Sequence, residues 1–221
     1  MRYTVLLLLS ISVNAFAQPS KVASTNAAGQ VWQIPFASTG NTISLSVQNN
    51  SNTSARNVSV TFTGIPSWLK FKSQSAVIKT ISADSTVDAE FVFDVDKKAP
   101  VGRDTTLTAT ISSTGGSWTK DIKITIGAPT DYKLYANYPN PFNPSTKIGF
   151  QLPAASHVRL VIYDVVGREV AKVTDADYPA GYTELTWNGT NNNGVTVSSG
   201  VYFYRITAPK WNKVMKMMMV K

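Results

Sequence analysis

The stretch Tyr135–Pro153, YANYPNPFNPSTKIGFQLP, divides this 221-residue chain into two β-rich parts. Pro139, Pro141 and Pro144 crowd together there, with Asn137, Asn140 and Asn143 set among them. Proline offers no amide hydrogen to a sheet ladder and pushes its predecessor toward extended geometry, so no central strand runs through these residues. Alternation resumes at once in TKIGFQL. The pattern predicts a stiff, extended connector over 128–145 that lies along the first strand of the domain behind it.

Upstream, from 28 to 127, period two recurs with turn signals in between. NTISLSVQN alternates Ile43, Leu45 and Val47 with polar residues, and NVSVTFTG does the same with Val58, Val60 and Phe62. TVDAEFVFDV sets Val87, Ala89, Phe91 and Phe93 on one face. TTLTATIS does so with Leu107, Ala109 and Ile111, and DIKITIG with Ile122, Ile124 and Ile126. Short alternating strands separated by QNNSNTSA, TGIPS, KKAPVG and STGGS predict an immunoglobulin-like sandwich. Downstream, over 146–221, TKIGFQL, HVRLVIYDVVG, REVAKVT, GYTELTW, GVYFYRITA and WNKVMKMMMVK form a second series. The final strand puts Met215, Met217 and Met219 on one face as core filling, with Lys216 on the other. The fold class is therefore all-β, two tandem sandwiches.

The N-terminus, MRYTVLLLLSISVNAFAQ, has Arg2 as a charged start, an apolar run from Val5 to Val13, and Ala15 and Ala17 as small residues around a cleavage point before Gln18. These features predict a signal peptide over 1–17. The apolar run is too short to span a bilayer as a helix. An exported protein would then hold itself together by packing alone, because the chain contains no cysteine. That absence also excludes thiolate metal sites and cysteine nucleophiles.

The net charge is +8, or +7 once Arg2 is removed. The cations divide evenly on either side of Gly127 and form no long run. This distribution argues against nucleic-acid binding and fits solubility with some affinity for anionic surfaces such as lipopolysaccharide. The single histidine, His157, lies in the second domain, so the first cannot carry a Ser-His-Asp triad. In DAEFVFDVD, Glu90, Asp94 and Asp96 share one strand parity opposite Phe91 and Phe93 and read as a solvated face. No cofactor, metal or catalytic residue is expected. Trp32 and Trp118, at strand starts, are the candidates for stacking on sugar rings, whereas Trp68 in GIPSWLKF is expected in the core.

Five pieces in order, YPNPFNPSTKIGFQLP, VRLVIYDVVGREV, AGYTELTWNG, SSGVYFYRI and KVMKMMMVK, resemble the type A C-terminal sorting domain of type IX secretion systems. The resemblance spans about 132–221, and that domain is similar in fold to the immunoglobulin-like domain of the flagellar hook-capping protein. Asn188 stands where the family often has Asp, and Ala208-Pro209-Lys210 replaces a Gly-containing turn. The resemblance implies export through the periplasm to the cell surface or medium. It also implies two partners, the outer-membrane secretion machinery and its C-terminal-domain peptidase, with lipopolysaccharide as an anchoring partner. It points to Gly200, Tyr202 and the terminal strand, with Lys213, Lys216, Val220 and Lys221, as the recognition region.

Residues 28–127 more loosely resemble immunoglobulin-like domains that accompany bacterial glycosidases, which implies a spacer, adhesion or matrix module. The expected function is thus a secreted, non-enzymatic surface protein. The alternatives are a carbohydrate-binding module that partners a separate glycosidase, and an extracellular filament or hook-cap-like subunit.

Overall fold

The structure, a computed structural model, describes residues 7–14 and 31–221. The chain divides between Gly127 and Ala128 into two compact units. The strands of the first are β1 (Leu7–Asn14), β2 (Val31–Ile34), β3 (Asn41–Asn49), β4 (Ala55–Thr63), β5 (Leu69–Phe71), β6 (Ser75–Ile81), β7 (Ser85–Val95), β8 (Asp104–Ser113) and β9 (Gly116–Ile126). They form one sheet in the order β1-β3-β7-β5 and another in the order β2-β9-β8-β4-β6. All neighbours are antiparallel except β2 on β9.

Alternation explains this sandwich. Along β7, Ala89, Phe91, Phe93 and Val95 are buried while Asp88 and Glu90 are exposed. β4, β8 and β9 bury their own alternate residues against them in one core. Phe62 meets Phe91 edge-on at 4.8 Å, and Phe71 stacks on Phe93 at 5.2 Å. Each such ring removed from water contributes about 2–3 kcal/mol. β5 and β6 escape the sequence reading because they are short or edge strands. β6, SAVIKTI, buries only Ile81 and forms because β4 offers it a ladder.

The second unit contains β10 (Lys133–Leu134), β11 (Thr146–Leu152), β12 (Ser156–Tyr163), β13 (Glu169–Tyr178), β14 (Gly181–Trp187), β15 (Gly200–Ala208) and β16 (Trp211–Met219). Its sheets run β10-β11-β14 and β13-β12-β15-β16. They enclose a separate core with Phe142, Ile148, Phe150, Leu160, Tyr204, Met217 and Met219 among its members. No helix interrupts either unit among the described residues. The fold class read from the sequence is the observed one.

The Pro/Asn-rich run, expected as connector and domain entry, falls within the second unit, where it lies along β11 and supplies Leu134 and Phe142 to the core. The candidate cleavage residues Ala15, Ala17 and Gln18 lie outside the described residues. The apolar stretch before them includes β1, which pairs with β3 from Leu7↔Asn49 to Asn14↔Thr42.

Candidate functional site

The Pro/Asn run bridges the first long strand and the last strand of its unit. Tyr138 exchanges both backbone hydrogen bonds with Lys147 of β11 at 2.9 Å. Four residues later the Phe142 amide donates to Met218 O at 3.0 Å, and Phe142 O accepts from the Val220 amide at 3.0 Å. Asn140 Oδ1 accepts from the Met218 amide, also at 3.0 Å. One segment is therefore hydrogen-bonded to the first long strand of the unit and to the last strand of the chain.

The asparagines matter because a short amide can satisfy backbone groups that proline-rich chain leaves without ladder partners. Buried Asn137 donates through Nδ2 to Pro139 O at 3.1 Å and to Thr146 Oγ1 at 2.9 Å. Its own amide donates to the Tyr204 hydroxyl at 3.1 Å, and that hydroxyl donates to Tyr135 O at 3.0 Å. Burial holds the Tyr204 phenol above its ordinary pKa, against the smaller opposing effect of the Asn137 hydrogen bond. The peptide bonds before Pro139, Pro141 and Pro144 are all cis.

The six residues expected to form the recognition region do not converge on one surface. Tyr202 is 8% exposed and its hydroxyl donates to Ser198 O at 2.7 Å, so its ring is a wall of the core. Gly200 stands opposite Met219, whereas Lys213 stands opposite Ile206, six positions and roughly 20 Å along β15. Lys213 and Lys216 have opposite strand parity and project from opposite faces, both exposed. Val220 and Lys221 follow β16 at its exposed end. Gly200 and Val220 do lie at the same end of the unit, the end that Phe142 clasps.

At that end Gly200 and Tyr202 border an open groove of about 820 Å³. Its other walls are the β12–β13 turn, with Asp164, Val165, Val166 and Arg168, and the Asn191–Asn193 loop. The sequence reading missed these positions because their turn chemistry was legible only as turn chemistry. Asp164 is committed to its own turn: it accepts from the Val166 and Arg168 amides at 3.0 and 2.9 Å and from Arg168 Nε at 2.7 Å. Desolvation pushes its carboxyl upward, but these donors outweigh it and hold the group below its ordinary range. Glu169 accepts from Arg159 and Asn192. Neither carboxylate lining the groove is arranged as a general acid or base. The exposed apolar groups are Val165 and Val166, at 68% and 70%.

His157, at the start of β12, sits between two carboxylates of β13. Its Nε2 is 3.0 Å from Asp175 Oδ1 and its Nδ1 is 2.9 Å from Asp177 Oδ1. Hydrogen bonding to Asp175, then to Asp177, raises the imidazole pKa, and Asp175 is lowered chiefly by His157 in return. A raised histidine stabilises the fold fully below its unfolded value near 6.5, and that stabilisation is lost as pH rises through the folded value. A lowered carboxylate acts in the other direction and is lost as pH falls below the ordinary 3.8. The β12–β13 hairpin is thus best protected between these limits. NMR titration is expected to place the His157 midpoint above 6.5 and to find it lowered in Asp175→Asn; an unchanged midpoint would discard the pairing.

In the first unit the structure buries one of the two sugar-stacking candidates and leaves the other partly exposed. Trp32 is only 9% exposed and packs in the core, because β2 lies on β9 with Trp32 opposite Ile124. Trp118 is half-buried, with its ring over Gly116. Trp68 also packs half-buried against the core, and the neighbouring Leu69 is the fully inserted residue. Of the β7 acidic residues, Glu90 is exposed. Asp94 accepts from the Gly40 amide at 2.7 Å, and Asp96 pairs with Lys70 at 3.3 Å.

Among curated proteins none matches the sequence. Solved structures are similar to this chain only at low identity. Dimeric latent PorU from Porphyromonas gingivalis has 14% identity and a TM-score of 0.36 over 97% of this chain and 20% of PorU. The chain thus spans about a fifth of that protein's length. PorZ from the same organism, described as a surface component of its type IX secretion system, has 19% identity and a TM-score of 0.31 over 52% of this chain and 15% of PorZ. The major pilin subunit BcpA of Bacillus cereus has 11% identity and a TM-score of 0.40 over 98% of this chain and 67% of BcpA. Within the second unit, residues 137–212, from buried Asn137 into the last strand, match the family model of the FlgD Ig-like domain.

Proposed function

We propose that residues 128–221 are a type IX sorting domain and that the first unit is its non-enzymatic cargo, a spacer, adhesion or matrix module at the cell surface. The observation that carries this reading is the ordered five-part resemblance that opens on YPNPFNP and closes on KVMKMMMVK. The hydrogen bonds that link Asn140 and Phe142 with Met218 and Val220 support it, since they join the first and last of those pieces into one surface. An export receptor meeting that end would contact both at once, with Gly200 beside them. The partners on this reading are the outer-membrane secretion machinery and its peptidase, after the leader has carried the chain to the periplasm.

The experiment attaches residues 128–221 to a fluorescent reporter behind a cleavable leader, in a bacterium with this machinery and in a strain lacking it. The reporter is expected at the surface or in the medium only in the first strain, with the leader and the C-terminal unit absent from its intact mass. A reporter retained in the periplasm of both strains would refute the assignment.

A further inference from the structure

We propose that β3 is a self-pairing edge: with β1 removed, two copies of the chain join antiparallel along Asn41–Asn49, across a two-fold axis at Leu45. This rests on the proposed removal of the leader, which contains β1, the strand that covers that edge in the full chain.

The sequence of β3, NTISLSVQN, reads nearly the same in both directions. Antiparallel pairing about Leu45 sets Leu45 against its own copy, Ile43 against Val47, Ser44 against Ser46, Thr42 against Gln48 and Asn41 against Asn49. A two-fold interface needs one surface complementary to itself, and an antiparallel strand pair with palindromic chemistry meets that condition at every position. The core-facing residues Ile43, Leu45 and Val47 of each copy extend the apolar face of the other, so the register that joins the ladders also keeps the cores continuous. The end residues are already fixed. Asn41 Nδ2 donates to Phe93 O, and Asn49 Nδ2 to Ile81 O and Ser82 O, which holds the strand straight between them.

β3 also lacks every ordinary defence of an edge. It has no charge, no proline and no glycine over nine residues. The other long edges are protected: β16 carries Lys213 and Lys216, β6 carries Lys79, and β13 carries Lys172, Asp175 and Asp177. The nearest carboxylates do not oppose pairing. Asp88 and Glu90 stand on β7 opposite Ser46 and Ser44, so across the dimer they are three strand spacings, about 14 Å, apart. That distance exceeds a Debye length of about 8 Å at physiological salt.

The test compares the full chain with residues 18–221 made directly, so its result does not depend on processing in the cell. Sedimentation velocity should give a dimer for 18–221 and a monomer for the full chain. Thr42→Lys/Gln48→Lys places lysine against lysine twice at the interface but beside only Val92 and Thr86 in the monomer. It should weaken association at least tenfold without changing the circular dichroism spectrum. Because the chain has no cysteine, register can be read directly. A mixture of Thr42→Cys and Gln48→Cys chains should form a mixed disulfide under glutathione, while neither variant alone should.

A monomeric 18–221 overturns the proposal, as does a dimer that gives no mixed disulfide. Hydrogen exchange showing β3 equally protected in a monomer would identify the chain's own residues 18–30 as the occupant and would equally end it. The leader reading is judged separately, by intact mass of the secreted protein.

Discussion

Phe142→Ala is expected to destabilise the C-terminal unit by about 3–5 kcal/mol, the usual cost of emptying a buried phenylalanine site. Phe142 is 1% exposed and packs on Trp187 at 5.5 Å between ring centroids, within a core that also holds Met217 and Met219. Two consequences set it apart from an ordinary core truncation. Its backbone clasps β16 through Met218 and Val220, so loosening the ring also loosens the chain's last strand. The loss should also stay within residues 128–221, because the two cores share no residue. Urea unfolding followed by residue-resolved NMR checks both points. The midpoint of the second unit should fall while that of the first stays in place. A common shift of both would mean that the units unfold as one body.

Gly189→Val should cost at least about 2 kcal/mol, by a mechanism that does not involve the hydrophobic effect. Gly189 has φ +68°, the left-handed region that costs other residues about 1–2 kcal/mol and β-branched ones most. A Cβ there would also lie 2.6 Å from Pro144 O and 2.9 Å from Met219 Cε. The methionine tip can yield, but the carbonyl belongs to the clasping segment and cannot move without disturbing it. Gly194, at φ +77° with nothing within 4 Å of its would-be Cβ, serves as the control. Gly194→Val should show backbone strain alone and a smaller loss. Equal losses at the two positions would mean that crowding at Gly189 is unimportant.

These two positions differ in how far the sequence exposes them. The Asn188-Gly189 pair reads as a turn because dihedral preference is local to the residue. That the turn sits against Pro144 and Met219 could not be read, since it depends on chain far away. Phe142 shows the same divide more sharply. Flanked by prolines, it has no alternating neighbours to mark it as a core residue, and its partner Met218 lies far along the chain. Trp32 was misread for a related reason. A four-residue strand has too little pattern to declare its buried face, and only its parallel pairing with β9 decided it. Of the expected recognition residues, Gly200 and the tail could be placed by register, but Tyr202 proved to be a core wall, and Lys213 and Lys216 diverge.

The sequence by itself determined that the chain is all-β, which residues of each long strand face inward, and where alternation breaks at the proline run. Period-two chemistry is carried by neighbouring residues, and burial on one face of a sheet enforces it strand by strand. Only the tertiary structure decided that the proline run binds the first and last long strands of its unit together. Contacts such as Asn140 with Met218 join residues 78 positions apart, and no local preference encodes which distant backbone will meet which amide.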